Sequence, residues 1–286
     1  MLDAVVISQA IDFIEDNLRE NIAVADVADA VSYSLYYFCR AFNQVTHLTP
    51  YDYLIRRRLA MAARALLETD RKVIDVALDY QFNNPETFSR AFKRVFGTSP
   101  SGWRKRGRLD EWDLMPRLTL AHLEHIAKGD YLKPVPVTQE AVRVAGVMTW
   151  VQERRRSVSD LWHLLADILV RREIAHMPGA YYGISMRASQ EMGGFLYLAA
   201  VELAEGEIGD AALVVKEIPA LGCVRFVHKG PGWDLPLTLD YVYHTWLPKS
   251  GLRPSVPWTI EQSERNFCHL DEAPSERAVY VPVDRQ

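Results

Sequence analysis

Cysteine is scarce in this 286-residue chain, and Cys39, Cys223 and Cys268 stand too far apart for a disulfide framework or the paired spacing of a zinc site. No run of eighteen apolar residues occurs, so no helical membrane span is expected. The opening residues MLDAVVISQA lack the basic stretch that precedes the apolar core of a secretory signal, which makes the cytoplasm the expected location. There is no glycine-rich phosphate loop, no nucleophile paired with a base and no histidine cluster. His122 and His125 lie three residues apart with no third ligand nearby in sequence. Nucleotide-dependent and metal-dependent enzymes are therefore disfavoured, and no cofactor or metal is expected.

A large excess of one charge is also missing, since the net charge is -4, but the charge is divided unevenly. Residues 1–108 hold 15 Lys+Arg against 13 Asp+Glu, whereas residues 109–286 hold 18 against 24. A hydrophobic content of 49% over this length suits two globular domains, and the charge asymmetry suggests a different partner for each.

What the first hundred residues do contain is an internal repeat. Asp26-Val27-Ala28 recurs as Asp75-Val76-Ala77, and Phe38-Cys39-Arg40-Ala41-Phe42 recurs fifty residues later as Phe88-Ser89-Arg90-Ala91-Phe92. Val45 matches Val95, Thr49-Pro50 matches Ser99-Pro100, and Tyr53 matches Trp103. Each copy reads as a short helix, a turn and a longer helix. Leu35, Phe38, Ala41, Phe42 and Val45 line the buried face of the first long helix, and Phe88, Ala91, Phe92 and Val95 that of the second. Asn83 or Asn84 can cap the second, which opens on Pro85. Between the copies, Pro50 to Thr69 has no breaker after its start and reads as one helix of about five turns, roughly 27 Å at 5.4 Å per turn. Such a spacer can hold two recognition helices about 34 Å apart, so one chain can enter successive major grooves of B-DNA and no dimer is required.

These features resemble the AraC/XylS family of regulators. Its signature segment is similar to Phe88-Ser89-Arg90-Ala91-Phe92-Lys93-Arg94, Gly97-Thr98-Ser99-Pro100 and Trp103-Arg104. The resemblance covers about residues 5–107 and implies a DNA-binding domain at 1–107. It also implies base reading by Tyr36, Cys39 and Arg40 in the first copy and by Asn84, Glu86 and Arg90 in the second. Arg40 can reach guanine O6 and N7 with two hydrogen bonds, and Tyr36 can meet a thymine methyl or a phosphate. Cys39 departs from the long polar side chain usual there. Glu86 can accept from cytosine N4 or favour the positive end of its helix, and Arg90 can contact DNA or brace the fold. Arg56, Arg57, Lys93 and Arg94 are candidate phosphate contacts, which position a protein without specifying sequence.

Residues 108–133 read as a connector and 134–286 as a second domain of α+β class, built from two βαββ-like repeats. The first pass has a strand at Val142 to Trp150, a helix at Ser157 to Arg171, and strands at Tyr181 to Ser185 and Gly194 to Leu203. The second pass has strands at Leu213 to Ile218 and Leu221 to His228, a helix at Leu235 to Leu247, and strands at Thr259 to Asn266 and Arg277 to Val283. Ile218-Pro219-Ala220, Arg225-Phe226-Val227-His228-Lys229-Gly230, Trp246-Leu247-Pro248, Glu264-Arg265 and Tyr280-Val281-Pro282-Val283 are similar to the GyrI-like effector-binding domain. That resemblance implies a groove for an amphipathic or cationic small molecule, with Glu264 at the acidic position and Trp150, Trp162, Tyr182, Tyr197 and Trp246 as candidate aromatic walls. A carboxylate beside aromatic faces suits a cation.

The expectation is a multidomain regulator with an all-α tandem helix-turn-helix part followed by a GyrI-like part. Its partners would be double-stranded DNA, a small-molecule effector and RNA polymerase, with no membrane. Two alternatives for the second domain are an enzyme hydrolysing small reactive molecules and a ligand-free protein-interaction module.

Overall fold

The structure is a computed structural model and describes residues 2–107, 113–128, 132–151, 157–186, 194–207, 210–264 and 276–285. Two compact units divide the chain. One comprises Met1–Lys128 with Leu239–Lys249, the other Gly129–Thr238 with Ser250–Gln286. Among the described residues no helix is long and apolar enough to cross a membrane.

The helical unit begins with α1 (Leu2–Asp16), α2 (Val24–Ala30) and α3 (Leu35–Thr46), and continues through α4 (Pro50–Glu68), α5 (Val73–Asp79), α6 (Pro85–Phe96), α7 (Pro100–Arg106) and α8 (Leu120–Ala127). Side-chain oxygens mark the helix starts. Ser34 accepts from Tyr37 N, Thr49 from Asp52 N, Asn84 from both Glu86 N and Thr87 N, and Ser99 from Gly102 N. Two apolar clusters flank the long helix α4. Its first turns give Tyr53 and Leu54 to a core with Ile7, Ile11, Ile14, Phe38 and Phe42. Its later turns give Leu59, Ala63 and Leu66 to a core with Phe88, Phe92 and Trp103. One rigid helix buried at both ends therefore fixes the two repeats to each other. Trp103 Nε1 donates to the Ala63 carbonyl at 3.0 Å, and Arg104 Nε to that of Leu66 at 2.9 Å.

The stretch that reads as a connector contains α8. Leu118 and Leu123 are buried in the first core, and His122 Nδ1 accepts from Thr119 N at 3.1 Å, tying the first turn of α8 to its cap residue.

The second unit contributes β1 (Val135–Gln139), β2 (Val142–Val151), α9 (Ser157–Arg172), β3 (His176–Met186), β4 (Phe195–Leu203), β5 (Val214–Ile218) and β6 (Leu221–Lys229). A broken helix follows in the chain, as α10 (Leu235–Tyr241), a π-helical turn at Val242–Trp246 and α11 (Leu247–Ser250), of which Leu239–Lys249 belongs to the helical unit, before β7 (Leu252–Pro254), β8 (Trp258–Ser263) and β9 (Glu276–Arg285) of the second. The main sheet is antiparallel throughout, in the order β1-β6-β9-β8-β3-β4-β2-β5. That order is palindromic about the β8/β3 pair, as two ββαββ halves require. The first strand of each half lies at a sheet edge, where a proline such as Pro136 of β1 is tolerated. Sequence alternation recovered β2 to β6, β8 and β9 but not the proline-bearing β1 or the three-residue β7. Of the strand expected to reach Asn266, residues 265 and 266 lie outside the described residues.

Candidate DNA-contacting face and effector site

Helical periodicity buries Phe38, Ala41 and Phe42 and so turns the rest of α3 outward. Tyr36 is 80% exposed, Arg40 is exposed, and Cys39 is half-buried against the first core. On α6, Glu86 and Arg90 are exposed over the buried Phe88 and Phe92. The Asn84 oxygen is committed to its two cap bonds at 2.8 and 3.2 Å, and its amide NH2 makes no hydrogen bond among the described residues. Arg40 and Arg90 make no ion pair or hydrogen bond among the described residues. The Glu86 side chain stands in the first turn of α6, where the helix dipole favours a negative charge.

The basic tract at the middle of α4 faces inward instead of out. Arg57 is 7% exposed, and its Nε and Nη2 bond the two Glu15 carboxylate oxygens at 2.7 and 2.8 Å. Tyr53 also donates to Glu15 at 2.7 Å. The phosphate role expected for Arg57 is therefore corrected: its guanidinium ties α4 to α1. Arg58 is likewise buried, donating to the Leu18 and Glu20 carbonyls. In a helix packed on two cores, three consecutive arginines cannot all face solvent. Arg56 is half-buried, with Nη1 3.0 Å from the His244 carbonyl, while Lys93 and Arg94 are exposed in the last turn of α6.

In the sheet unit, Gly183 of β3 stands opposite both Glu261 of β8 and Ala199 of β4, and Glu261 stands opposite Val279 of β9. Strand alternation puts Tyr197 and Arg277, each two residues along, on that same face. Glu261 and Arg277 are only 3% and 4% exposed, with Arg277 Nη1 donating to Glu261 Oε2 at 3.2 Å. Trp162 of α9 donates from Nε1 to the Tyr197 hydroxyl at 3.3 Å. Burial holds the Glu261 carboxyl above the usual carboxylate range, and Arg277 offsets that only in part. Burial and the Glu261 charge push the Tyr197 phenol well up.

Glu264, the carboxylate expected at the acidic position, is exposed just past the end of β8, and Arg265 lies outside the described residues. The buried carboxylate is Glu261, three residues earlier. Of the aromatics named from sequence, Trp162 and Tyr197 join it. Tyr182 lies on the opposite face, where its hydroxyl donates to Glu202 at 3.2 Å and accepts from Gln262 at 3.1 Å. Trp150 also lies on that opposite face, beside Gly194, and Trp246 sits in the π-helical turn that belongs to the helical unit.

An all-α unit that exposes two equivalent recognition helices, carried by a chain whose sheet unit buries a carboxylate among aromatics, defines a two-part DNA-binding regulator. The helix-turn-helix domain family matches residues 27–106, and the GyrI-like small molecule binding domain family matches residues 133–284. The chain belongs to the AraC-type DNA-binding transcriptional regulators that carry a GyrI-like small-molecule-binding domain. It is 28% identical over 274 residues to the transcriptional regulator Rob of Salmonella typhimurium, covering 92% of this chain and 91% of Rob. It is 39% identical over 98 residues to YbfP of Bacillus subtilis, an uncharacterized HTH-type transcriptional regulator, covering 34% of this chain but only 33% of YbfP. Among solved structures, the EcmrR C-terminal domain covers 54% of this chain and 98% of its own at 14% identity and a TM-score of 0.44.

Proposed function

We propose that this chain binds a full operator as a single molecule, through α3 and α6, and that a small molecule held at Glu261 adjusts its output. The observation that carries the first part is the exposure of Arg40 and Arg90 at the same place in each repeat, with both left unpaired by the fold. Tyr36, Cys39 and Arg40 read one half of the site, and Asn84, Glu86 and Arg90 the other. Lys93, Arg94 and Arg56 set the register on the phosphates. Selection of bound duplexes from a random pool, followed by sedimentation of the complex, tests this. Two sequence blocks one helical turn apart bound by one protein molecule are expected, and a two-molecule complex on every selected site overturns it.

The effector reading rests on Glu261, Arg277, Tyr197 and Trp162. The Glu261–Arg277 pair is close to neutral as a unit, so the ligand class it favours is amphipathic and aromatic, with polar atoms able to exchange hydrogen bonds with the pair. The chain acts without catalysing a reaction, in the cytoplasm, and communicates with RNA polymerase. Support for these comes from its likeness to Rob, a transcriptional regulator. Operator titrations with and without candidate ligands check the coupling: a ligand that binds wild type and not Tyr197→Phe or Trp162→Phe, and that shifts operator affinity, is the expected result. No ligand-dependent change across amphipathic cations, neutrals and anions overturns it.

A further inference from the structure

The two repeats of the helical unit end their long helices differently. α6 closes on Gly97 with φ 71°, but α3 closes on His47 with φ 58°, a left-handed backbone that a β-carbon makes costly. A non-glycine residue persists there only when its surroundings hold it. Two contacts do so, both from the Leu239–Lys249 segment of the same unit: the His47 ring Nδ1 lies 2.8 Å from the Tyr241 hydroxyl, and the Lys249 ammonium donates to the His47 carbonyl. Arg56 is anchored alongside, with Nη1 donating to the His244 carbonyl at 3.0 Å. Lys249 and Arg56 are thus fixed by neutral backbone oxygens. Among the described residues neither makes an ion pair.

The local charge is unbalanced. Besides burial, Arg56 feels Asp52 and the like charge of Arg94, and Lys249 feels Asp52 and the like charge of Arg56. Asp52 is one carboxylate against three cations. Like charges held together at fixed positions are unfavourable until an anion arrives between them.

We propose that Lys249 and Arg56 together clasp a DNA backbone phosphate at the C-terminal end of the first recognition helix, so that a lysine from the second half of the sequence is part of the grip on DNA. The proposal rests on the reading of α3 as a DNA-contacting helix. A phosphodiester fits because it offers two equivalent oxygens to two fixed cationic donors, and because DNA is the polyanion that α3 approaches. His47 is then the buttress that keeps the Lys249 ammonium in place.

The test is the salt dependence of duplex binding by the full chain, read by fluorescence anisotropy over a range of salt concentrations. Each phosphate contact contributes about 0.9 to the slope of log K against log salt. Lys249→Ala is expected to lower that slope, by up to about 0.9, on selected and random duplexes alike, and Lys249→Arg to restore it. Arg172→Ala removes an exposed cation of α9 and reports the general effect of losing one charge. An unchanged slope in Lys249→Ala, or an equal loss in Arg172→Ala, overturns the proposal. Thermal melts of each variant identify a fold defect, and Lys249→Arg then decides the outcome, because a fold-competent charge at 249 must carry the wild-type slope. Absence of any duplex binding by the wild type would instead be a failure of the DNA-binding reading itself.

Discussion

The Tyr197 hydroxyl occupies the space that a side chain on Gly183 would fill. A β-carbon at 183 would stand 2.2 Å from that oxygen and 3.4 Å from Cδ of Glu261. Gly183 faces Glu261 across the β3/β8 pair at the centre of the palindromic sheet, so one half of the domain supplies the gap and the other the carboxylate. Gly183→Ala should force Tyr197 off its bond with Trp162 and destabilise the sheet unit by about 1–3 kcal/mol, the usual range for overpacking. Urea unfolding measures this. The double variant Gly183→Ala/Tyr197→Phe should recover part of the loss, and a single variant as stable as the parent contradicts the geometry.

Arg57 and Arg94 separate structural from contact arginines. Removing the Arg57 guanidinium leaves the buried Glu15 carboxylate without its cation, with only the Tyr53 hydroxyl still donating to it, so Arg57→Ala is expected to cost about 3–5 kcal/mol of stability. Arg94→Ala touches no partner in the described fold and should stay within about 0.5 kcal/mol of wild type in stability, while weakening binding to all duplex sequences alike. Paired melts and anisotropy titrations distinguish the two, and a stable Arg57→Ala protein with weakened DNA binding would reverse the assignment.

How far the sequence carries is clear from particular residues. The fifty-residue repeat and the 3.6-residue spacing of Phe38, Ala41, Phe42 and Val45 reveal the tandem units, because both are local patterns. Arg57 was not legible, since only the partner Glu15, 42 residues away, shows that it turns inward. Glu261 is not legible because the resemblance puts the acidic position at Glu264, and nothing local in the run Thr259 to Glu264 says which of its two carboxylates turns inward. The signals that find it are Gly183 and Arg277 on neighbouring strands, and these need the register. Trp246 reads as an effector aromatic for a similar reason: nothing local indicates that Leu239–Lys249 belongs with the helical unit.

The Glu261–Arg277 pair should respond asymmetrically to substitution. A carboxyl whose pKa is raised on folding binds its proton more tightly in the folded state. Its contribution to stability is therefore greatest below the unfolded-state pKa of about 4.3 and declines as the pH rises through the higher folded value. Glu261→Gln mimics the protonated form, so it should be at least as stable as wild type at neutral pH, and the difference should shrink on acidification. Arg277→Met strands a buried carboxylate and should cost about 3–5 kcal/mol at neutral pH. Denaturant midpoints from pH 4 to 8 check both. A Glu261→Gln protein that loses more stability at pH 7 than at pH 5 would show that Arg277 outweighs burial.

Arg40 carries the sharpest prediction for sequence reading. It is exposed on α3 with no partner in the described fold, one turn from Tyr36, and its neighbour Cys39 is too short to share a base with it. Its guanidinium is free to take a guanine through O6 and N7, a contact that discriminates between bases by about 1–3 kcal/mol. Arg40→Ala should therefore weaken binding to the selected operator by that amount, relax the preference at one base pair, and leave affinity for random duplex nearly unchanged. Arg40→Lys should keep the affinity for random DNA and recover only part of the preference, because an ammonium lacks the two-pronged geometry. Equal losses on selected and random duplexes would make Arg40 a phosphate contact and leave base reading in the first repeat to Tyr36 and Cys39.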